Sequence, residues 1–317
     1  MSNPAGKSRS VAVIIPAFNA QQTIAAAVRS ALREPEAREV VVVDDGSDDD
    51  SAKLAAGCDD GSGRLRVIRQ ANRGPSAAFN RGVEASRADY VCRLDADDLF
   101  WPGRFEAIFA LASGAWDFAA DKLLVTHELD GAGPCRPWVG EGVTGRLSFA
   151  AFVSGNIGDP RHARTELGFL KPLVSRAFLE RTGLRQNEQV RYGEDFLFYA
   201  GALALGARFE IVDHFGYVAL AHQGSLSFRH TAEDLRRLLA AERQLAQQPL
   251  ASPDRRALAR HVRHVQDKLQ YRLALEAKQR GDLLGVARLA AGDPHALGHM
   301  IAQTLRARLD RACASPQ

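Results

Sequence analysis

Acidic residues gather at three separated points of the 317-residue chain: Asp44-Asp45, Asp95-Ala96-Asp97-Asp98 and Glu194-Asp195. Two carboxylates on one turn, such as Asp95 and Asp97, suit a hard divalent ion like Mg²⁺ or Mn²⁺, with substrate phosphates as further ligands. A solvated acidic turn or a helix cap would use the same residues. Asp44-Asp45-Gly46-Ser47 is open to two readings as well. It is either a turn in which Asp45 or Ser47 caps the next helix, or a fixed carboxylate accepting from the N–H groups of a nucleotide base. Glu194-Asp195 precedes the apolar residues 196–199. Acids are favoured at helix starts, and a carboxylate there could equally take the proton from an attacking hydroxyl.

The elements that must position these groups alternate between two periodicities. Residues 11–15 form an apolar run ended by Pro16, and 21–33 read as a helix with Ala25, Val28 and Leu32 on one side. Residues 40–43 form a second strand and 65–69 a third; after Asn72-Arg73-Gly74-Pro75 a helix covers about 76–86, and 90–94 form a fourth strand. This alternation predicts a parallel sheet covered on both faces. Ligands of such sheets bind outside the carboxyl ends of the strands. Asn19, Asp44, Asp45, Asp95 and Asp97 all follow such ends, so separate loops are expected to converge on one pocket. Gly and Pro clusters at 130–137, 140–145 and 155–160, with apolar stretches at 169–174 and 209–212, predict further strands and substrate-contacting loops.

Hydrophobic residues make up 46% of the chain and charged ones 25%, the balance of an ordinary globular protein. With 41 Lys plus Arg against 38 Asp plus Glu, the charge is too even for a surface built on nucleic acid. No stretch approaches the ~20 apolar residues that span a bilayer. The four cysteines form no CxxC pair, so neither a zinc site nor a disulfide framework is legible and a cytoplasmic setting is expected. Residues 231–317 are helix-forming and Arg-rich: 15 basic and 9 acidic residues leave this segment at +6 and residues 1–230 at −3. Breaks at 249–253, 281–282 and 292–294 divide it into three or four helices. Arg255, Arg256, Arg260, Arg263 and Lys268 lie among Leu258, Val262, Val265 and Leu269. That pattern fits a solvated face of packed helices, or a surface attracting anionic lipid or lipid-linked phosphate at the membrane's inner face.

Taken together, Val13-Ile14-Ile15-Pro16-Ala17-Phe18-Asn19, Val41-Val42-Val43-Asp44-Asp45-Gly46-Ser47, Asn72-Arg73-Gly74 with Ala78 and Asn80, and Leu94-Asp95-Ala96-Asp97-Asp98 resemble the donor half of glycosyltransferase family 2. The resemblance implies a GT-A fold: an α/β, Rossmann-like, mostly parallel sheet flanked by helices, here with a helical C-terminal appendage. It divides the chain into a catalytic domain at 1–230 (donor half about 10–100, acceptor half about 101–230) and the basic region 231–317. It further implies a nucleotide-sugar donor, commonly UDP-linked, a saccharide or lipid-linked saccharide acceptor, and inversion at the anomeric carbon.

Carried over by position, Pro16, Ala17 and Asn19 would line the nucleoside pocket, Asp45 would accept from the base and Asp44 would support it. Arg73 would lie near the base or phosphates. Asp95 would face the ribose or sugar, with Asp97 as the main ligand of Mn²⁺ or Mg²⁺. Gly193-Glu194-Asp195-Phe196-Leu197 resembles the family's ED motif, which makes Asp195 the expected catalytic base and Glu194 the fallback. Residues 217–227 resemble a late segment that closes over the diphosphate, with His222 ligating the metal or donating to phosphate. Lys171 and Arg229 would neutralise the diphosphate, or else are surface cations. Processive members carry a QxxRW-type motif, whereas Trp101, Trp116 and Trp138 sit in no such context, so one sugar per encounter is expected.

Rival functions make different demands. A nucleotidyltransferase would carry a Gly-rich basic loop after the first strand, where this chain has Pro16-Ala17-Phe18-Asn19-Ala20. A receiver-type signalling module needs its acidic pair after the first strand; here the pair follows the second. A catalytically inactive sugar-nucleotide binder would carry the same motifs and stays open at this point.

Overall fold

The computed structural model describes residues 9–127, 134–140, 142–157, 166–220, 230–282 and 284. The chain folds as two compact units, Met1–Ser225 and Leu226–Gln317.

In the first unit the predicted alternation appears with ends shifted by up to three residues and with α2 added between the second and third strands: β1 (Val11–Ala17), α1 (Ile24–Leu32), β2 (Ala37–Asp44), α2 (Ser51–Ala56), β3 (Leu65–Arg69), α3 (Pro75–Ala85) and β4 (Tyr90–Arg93). Val11 to Ile15 and Val40 to Val43 are fully buried, as strands covered on both faces must be. The second half adds β5 (Leu99–Phe100), α4 (Arg104–Leu111), β6 (Phe118–Thr126), β7 (Arg136–Val139), β8 (Gly145–Leu147), α5 (Phe149–Gly155) and a short 3₁₀ turn at Leu167–Phe169. It closes with β9 (Leu173–Ser175), α6 (Arg176–Thr182), α7 (Glu194–Ala204) and β10 (Phe209–Leu220).

Strand order is β3-β2-β1-β4-β9-β6-β10-β5, with β7 on β6 and β8 on β10. The donor half, β3-β2-β1-β4, is parallel throughout. β6 and β10 also run parallel, and the three-residue β9 lies antiparallel between β4 and β6. It joins the two halves into one sheet, so the ends of β1, β2 and β4 and the start of α7 can serve a common cleft.

In the interior of this unit lies an ion pair wholly removed from water. Arg104 binds Asp121 through Nε at 3.0 Å and Nη2 at 2.7 Å, and both side chains are 0% exposed. The guanidinium also lies over the Phe100 and Tyr217 rings, 4.7 and 5.2 Å from their centroids. Gly216 makes room for it: a Cβ there would sit 2.6 Å from Arg104 Cγ and from Asp121 Oδ2.

The second unit contains α8 (Ala232–Leu245) and α9 (Ser252–Gln279). Thr231 and Asp234 close a capping box at the start of α8. Buried Leu235, Leu238 and Leu239 of α8 and Ala257, Leu258 and Val265 of α9 supply the apolar faces, and His261 Nδ1 meets Glu242 Oε1 at 2.6 Å. Pro249 stands in the break between α8 and α9, and Pro253 lies in the first turn of α9, where its missing N–H costs nothing. Among the described residues no helix is long and apolar enough to cross a membrane.

Candidate active site

The loops after β1 and β2 are laced together. Asn19 adopts φ +49°, a left-handed conformation that Asn tolerates better than most residues. Its N–H donates to Ser47 Oγ at 3.0 Å, while its Oδ1 accepts from the Asp48 N–H at 3.0 Å. Ala17 accepts from the Asp45 N–H through its carbonyl at 2.8 Å. Pro16 lies opposite Val43 in the register, and Phe18 is half-exposed beside them. Ser47 and Asp45 do not cap α2, which starts at Ser51, so the capping alternative is set aside.

Asp44 and Asp45 are both buried, and they face different work. Asp44 Oδ1 accepts from the Ser47 N–H at 3.1 Å, and Oδ2 lies 3.3 Å from Arg69 Nε without a hydrogen bond. Asp45 holds the 70–74 loop: Oδ1 accepts from Gln70 Nε2 at 2.8 Å and from the Arg73 N–H at 2.9 Å, and Oδ2 from the Gly74 N–H at 2.7 Å. Gly46, at φ +80°, lets this loop approach, since a Cβ there would lie 3.0 Å from the Asn72 nitrogen. An ionised carboxylate offers about four acceptor sites, so Asp45 retains capacity for one more donor.

A second cluster forms where β4 ends. Strand alternation puts Arg93 and Asp95 on one side of the chain. Arg93 Nε donates to Asp95 Oδ1 at 2.6 Å, and Arg93 Nη1 reaches Asp195 Oδ1 at 3.1 Å and Glu194 Oε1 at 3.7 Å. Lys171 Nζ lies 2.6 Å from Asp195 Oδ2 and 3.0 Å from Asp95 Oδ2. Burial alone would raise the Asp95 carboxyl, but Arg93 and Lys171 outweigh it and hold it well below the usual range. Burial likewise works against the Lys171 charge, and Asp195 with Asp95 overcomes it and raises the ammonium above its ordinary value. Lys171 is 5% exposed, which overturns the surface-cation alternative: a buried charge of this kind persists where it is paired. Its carbonyl accepts from Arg104 Nη2 at 2.5 Å, tying the cluster to the buried pair.

Glu194 and Asp195 occupy the first turn of α7, with Gly193 ahead of them. Burial, then the neighbouring Asp195 charge, pushes the Glu194 carboxyl up to about 7. Asp98 is pushed well above the carboxylate range by burial, then by Asp97 and Asp95, against hydrogen bonds from Tyr217 and Leu220. Tyr217 Oη donates to Asp98 Oδ2 at 2.7 Å and accepts from the Asp95 N–H at 3.1 Å, so β10 clamps the turn that carries Asp97.

Among the site residues that escaped the sequence reading are Arg93, whose side chain is 10% exposed, and the buried Gln186. Arg93 had a legible signal, a cation inside an apolar strand just before an acidic turn. Gln186 belongs to a loop with no motif, and it connects the clusters: its Nε2 donates to Asp195 Oδ1 at 2.7 Å. Pro16, Ala17, Asn19, Asp44, Asp45 and Arg73 thus form one group, and Asp95, Lys171, Glu194 and Asp195 another. His222 and Arg229 lie outside the described residues.

The carboxylates on the Asp95–Asp98 turn fit a divalent cation in one respect. Burial first, and then the neighbouring Asp97 and Asp95 charges, raise the Asp98 carboxyl, and a hard cation with oxygen ligands would offset the like-charge part of that. Among the described residues no three His, Cys, Asp or Glu side chains form a complete cage. Asp97 with Asp95 would supply the protein's share, and a diphosphate the rest.

The glycosyl transferase family 2 model matches residues 12–121, which includes the Asp44-Asp45 and Asp95–Asp98 turns. The succinoglycan biosynthesis protein ExoU of Rhizobium meliloti is 44% identical over 304 residues, covering 95% of this chain and 88% of that protein. In fold, the chain is similar to S. aureus TarS 1-349 in complex with UDP-GlcNAc, with a TM-score of 0.61, 16% identity, and coverage of 88% of this chain and 90% of that one. It is also similar to the mannosyltransferase PcManGT of Pyrobaculum calidifontis in complex with GDP-Man and Mn²⁺, with a TM-score of 0.59, 20% identity, and coverage of 98% and 87%. The turn after β4 and the start of α7 meeting around shared cations on a GT-A sheet, together with a relative similar over nearly its whole length, lead to one conclusion: the chain belongs to glycosyl transferase family 2.

Proposed function

We propose that this chain moves one sugar from a UDP-linked donor to an acceptor hydroxyl, with inversion, during assembly of a polysaccharide or lipid-linked oligosaccharide. The observation that carries the reading is the sharing of Lys171 and Arg93 between Asp95, on the donor-half turn, and Asp195, on α7. That sharing sets an acid of the donor half next to the carboxylate best placed to receive a proton. The name of ExoU supports a role in polysaccharide synthesis, and the fold shared with a UDP-GlcNAc complex supports the donor class.

In this reading Asp45 and the 70–74 loop receive the base, with Pro16, Ala17 and Asn19 as the facing wall. Asp195 takes the proton from the acceptor hydroxyl as that oxygen attacks the anomeric carbon opposite the departing diphosphate. The new C–O bond forms as the sugar–phosphate bond breaks, so no covalent enzyme intermediate is needed. A diphosphate entering beside Lys171 competes with Asp195 and Asp95 for the same ammonium. Mn²⁺ or Mg²⁺ held by Asp97 and Asp95 would neutralise charge on the leaving diphosphate. The Mn²⁺ bound in PcManGT supports this metal requirement. Residues 1–230 would form the catalytic domain, and the basic region 231–317 would meet anionic lipid at the inner membrane face.

Thermal-shift titration with UDP, GDP and dTDP sugars plus Mn²⁺, followed by assay of nucleoside diphosphate release, tests the proposal. A ligand bound by the native state alone raises stability by an amount set by its concentration over Kd. Stabilisation by UDP sugars and release of UDP are expected. Preference for GDP or dTDP sugars would overturn the donor assignment. Donor binding without release, across water and lipid-linked oligosaccharide acceptors, would favour the inactive binder.

A further inference from the structure

The loop between α6 and α7 carries two polar side chains that the motifs leave unassigned. Gln186 is 4% exposed although it stands outside any helix or strand. Its backbone forms a reciprocal pair with the Asn80 side chain: the Gln186 N–H donates to Asn80 Oδ1 at 3.0 Å, and Asn80 Nδ2 donates to the Gln186 carbonyl at 2.9 Å. Leaving either buried group unpaired would cost about 1–3 kcal/mol, so the Gln186 backbone is fixed to α3. Its side chain then points one way along the path: Nε2 donates to Asp195 Oδ1 at 2.7 Å, while Oε1 accepts from Arg93 Nη1 at 3.5 Å.

Two residues further on, Glu188 faces the nucleoside side. Its Oε1 accepts from Asn80 Nδ2 at 3.1 Å and its Oε2 from Arg73 Nη2 at 2.7 Å. The Arg73 N–H in turn donates to Asp45 Oδ1. Every step from Asp45 to Asp195 is therefore a hydrogen bond or a covalent segment: Asp45, Arg73, Glu188, Asn80, Gln186, Asp195. Of the donors that meet on Asp195, Lys171 and Arg93 are charged and Gln186 is neutral. Removing the Gln186 amide changes the carboxylate's orientation while leaving the local charge alone.

We propose that Gln186 is a positioning residue, which orients the Asp195 carboxylate from the nucleoside side and transmits the order of the 70–74 loop to it through Asn80 and Glu188. The inference rests on the transferase reading, with Asp195 as proton acceptor. A misplacement of about 1 Å at a reacting group can cost up to ~100-fold in rate, and uniform binding is untouched by it. Turnover and donor affinity should therefore separate.

The test compares wild type, Gln186→Met, Glu188→Gln and Asp195→Asn. Two readouts serve: the rate of nucleoside diphosphate release from UDP-glucose, UDP-N-acetylglucosamine or GDP-mannose, and the calorimetric Kd for UDP with Mn²⁺. Gln186→Met is expected to lower turnover by about tenfold or more with UDP affinity held within about threefold. Glu188→Gln, an isosteric change at an exposed position, is expected to lower turnover by a smaller factor in the same direction. If Gln186→Met fails to fold, Glu188→Gln alone decides by the same two readouts. Full turnover in the folded variants beside an inactive Asp195→Asn would overturn the inference and leave the transferase reading standing. A parallel loss of turnover and UDP affinity would also overturn it, since Gln186 would then be ordinary scaffolding. An active Asp195→Asn, or a wild type that releases nothing from any donor, would instead defeat the reading beneath it.

Discussion

Asp95 and Asp195 hold the same two cations, Lys171 at 3.0 and 2.6 Å and Arg93 at 2.6 and 3.1 Å. The acidic turn after β4 and the first turn of α7 therefore cannot be rearranged independently. Breaking a buried pair by removing one partner leaves an uncompensated charge, which is costlier than never having had the pair. The arrangement fixes geometry first, and the chemistry draws on it.

Asp97→Ala should weaken donor binding chiefly in the presence of metal, because it removes the carboxylate assigned as the main ligand of the ion. Calorimetry of UDP binding with and without Mn²⁺ measures this. An unchanged enhancement by Mn²⁺ would contradict the assignment.

Asp121→Ala strands the Arg104 guanidinium in the core. Losing one member of a buried ion pair costs about 3–5 kcal/mol, so urea unfolding should show a large drop in midpoint. Lys171 should also be mispositioned, because Arg104 holds its carbonyl. A stability loss under about 1 kcal/mol would mean that water reaches the site and screens the charge.

Glu194 makes a pH-dependent contribution whose sign follows from its raised carboxyl, about 7 against an ordinary 4.5. Between those values the unfolded chain has released the proton and the folded chain keeps it. The associated stability is thus present in full below pH 4.5 and is lost as pH rises through 7, amounting to about 3 kcal/mol at most. Glu194→Gln should therefore gain in Tm relative to wild type between pH 5 and pH 8. A difference that stays constant over this range would show that Glu194 is ionised in the fold.

The donor half was legible because its strands are short apolar runs that end in polar residues, the pattern of a parallel sheet covered on both faces. Its motif residues were placed correctly relative to strand ends for the same reason. The joining strand β9 was not legible: three residues are too few for periodicity to register. Lys171 read as a phosphate-facing or surface cation because sequence shows charge and hides burial. Gln186 gave no signal, since a neutral amide in a loop looks like solvent-facing surface until the partner carboxylate is known.

For the tail, Arg255, Arg256 and Arg260 are exposed on α9 while Leu258 and Val265 are buried, so attraction of α9 to a membrane would be electrostatic. Co-sedimentation with vesicles containing phosphatidylglycerol should decline as salt rises, because exposed charges are screened beyond about 10 Å at 0.1 M. Salt-insensitive binding, or none, would favour helices that merely pack within their own unit.

The most direct measurement pairs Asp195→Asn turnover with its donor affinity. Sugar transfer should fall by at least about 100-fold, the lower range for loss of a general base, while the Kd for UDP with Mn²⁺ stays near wild type. Undiminished transfer in a folded Asp195→Asn protein would remove Asp195 from the chemistry and reduce its pairing with Lys171 and Arg93 to support for the fold.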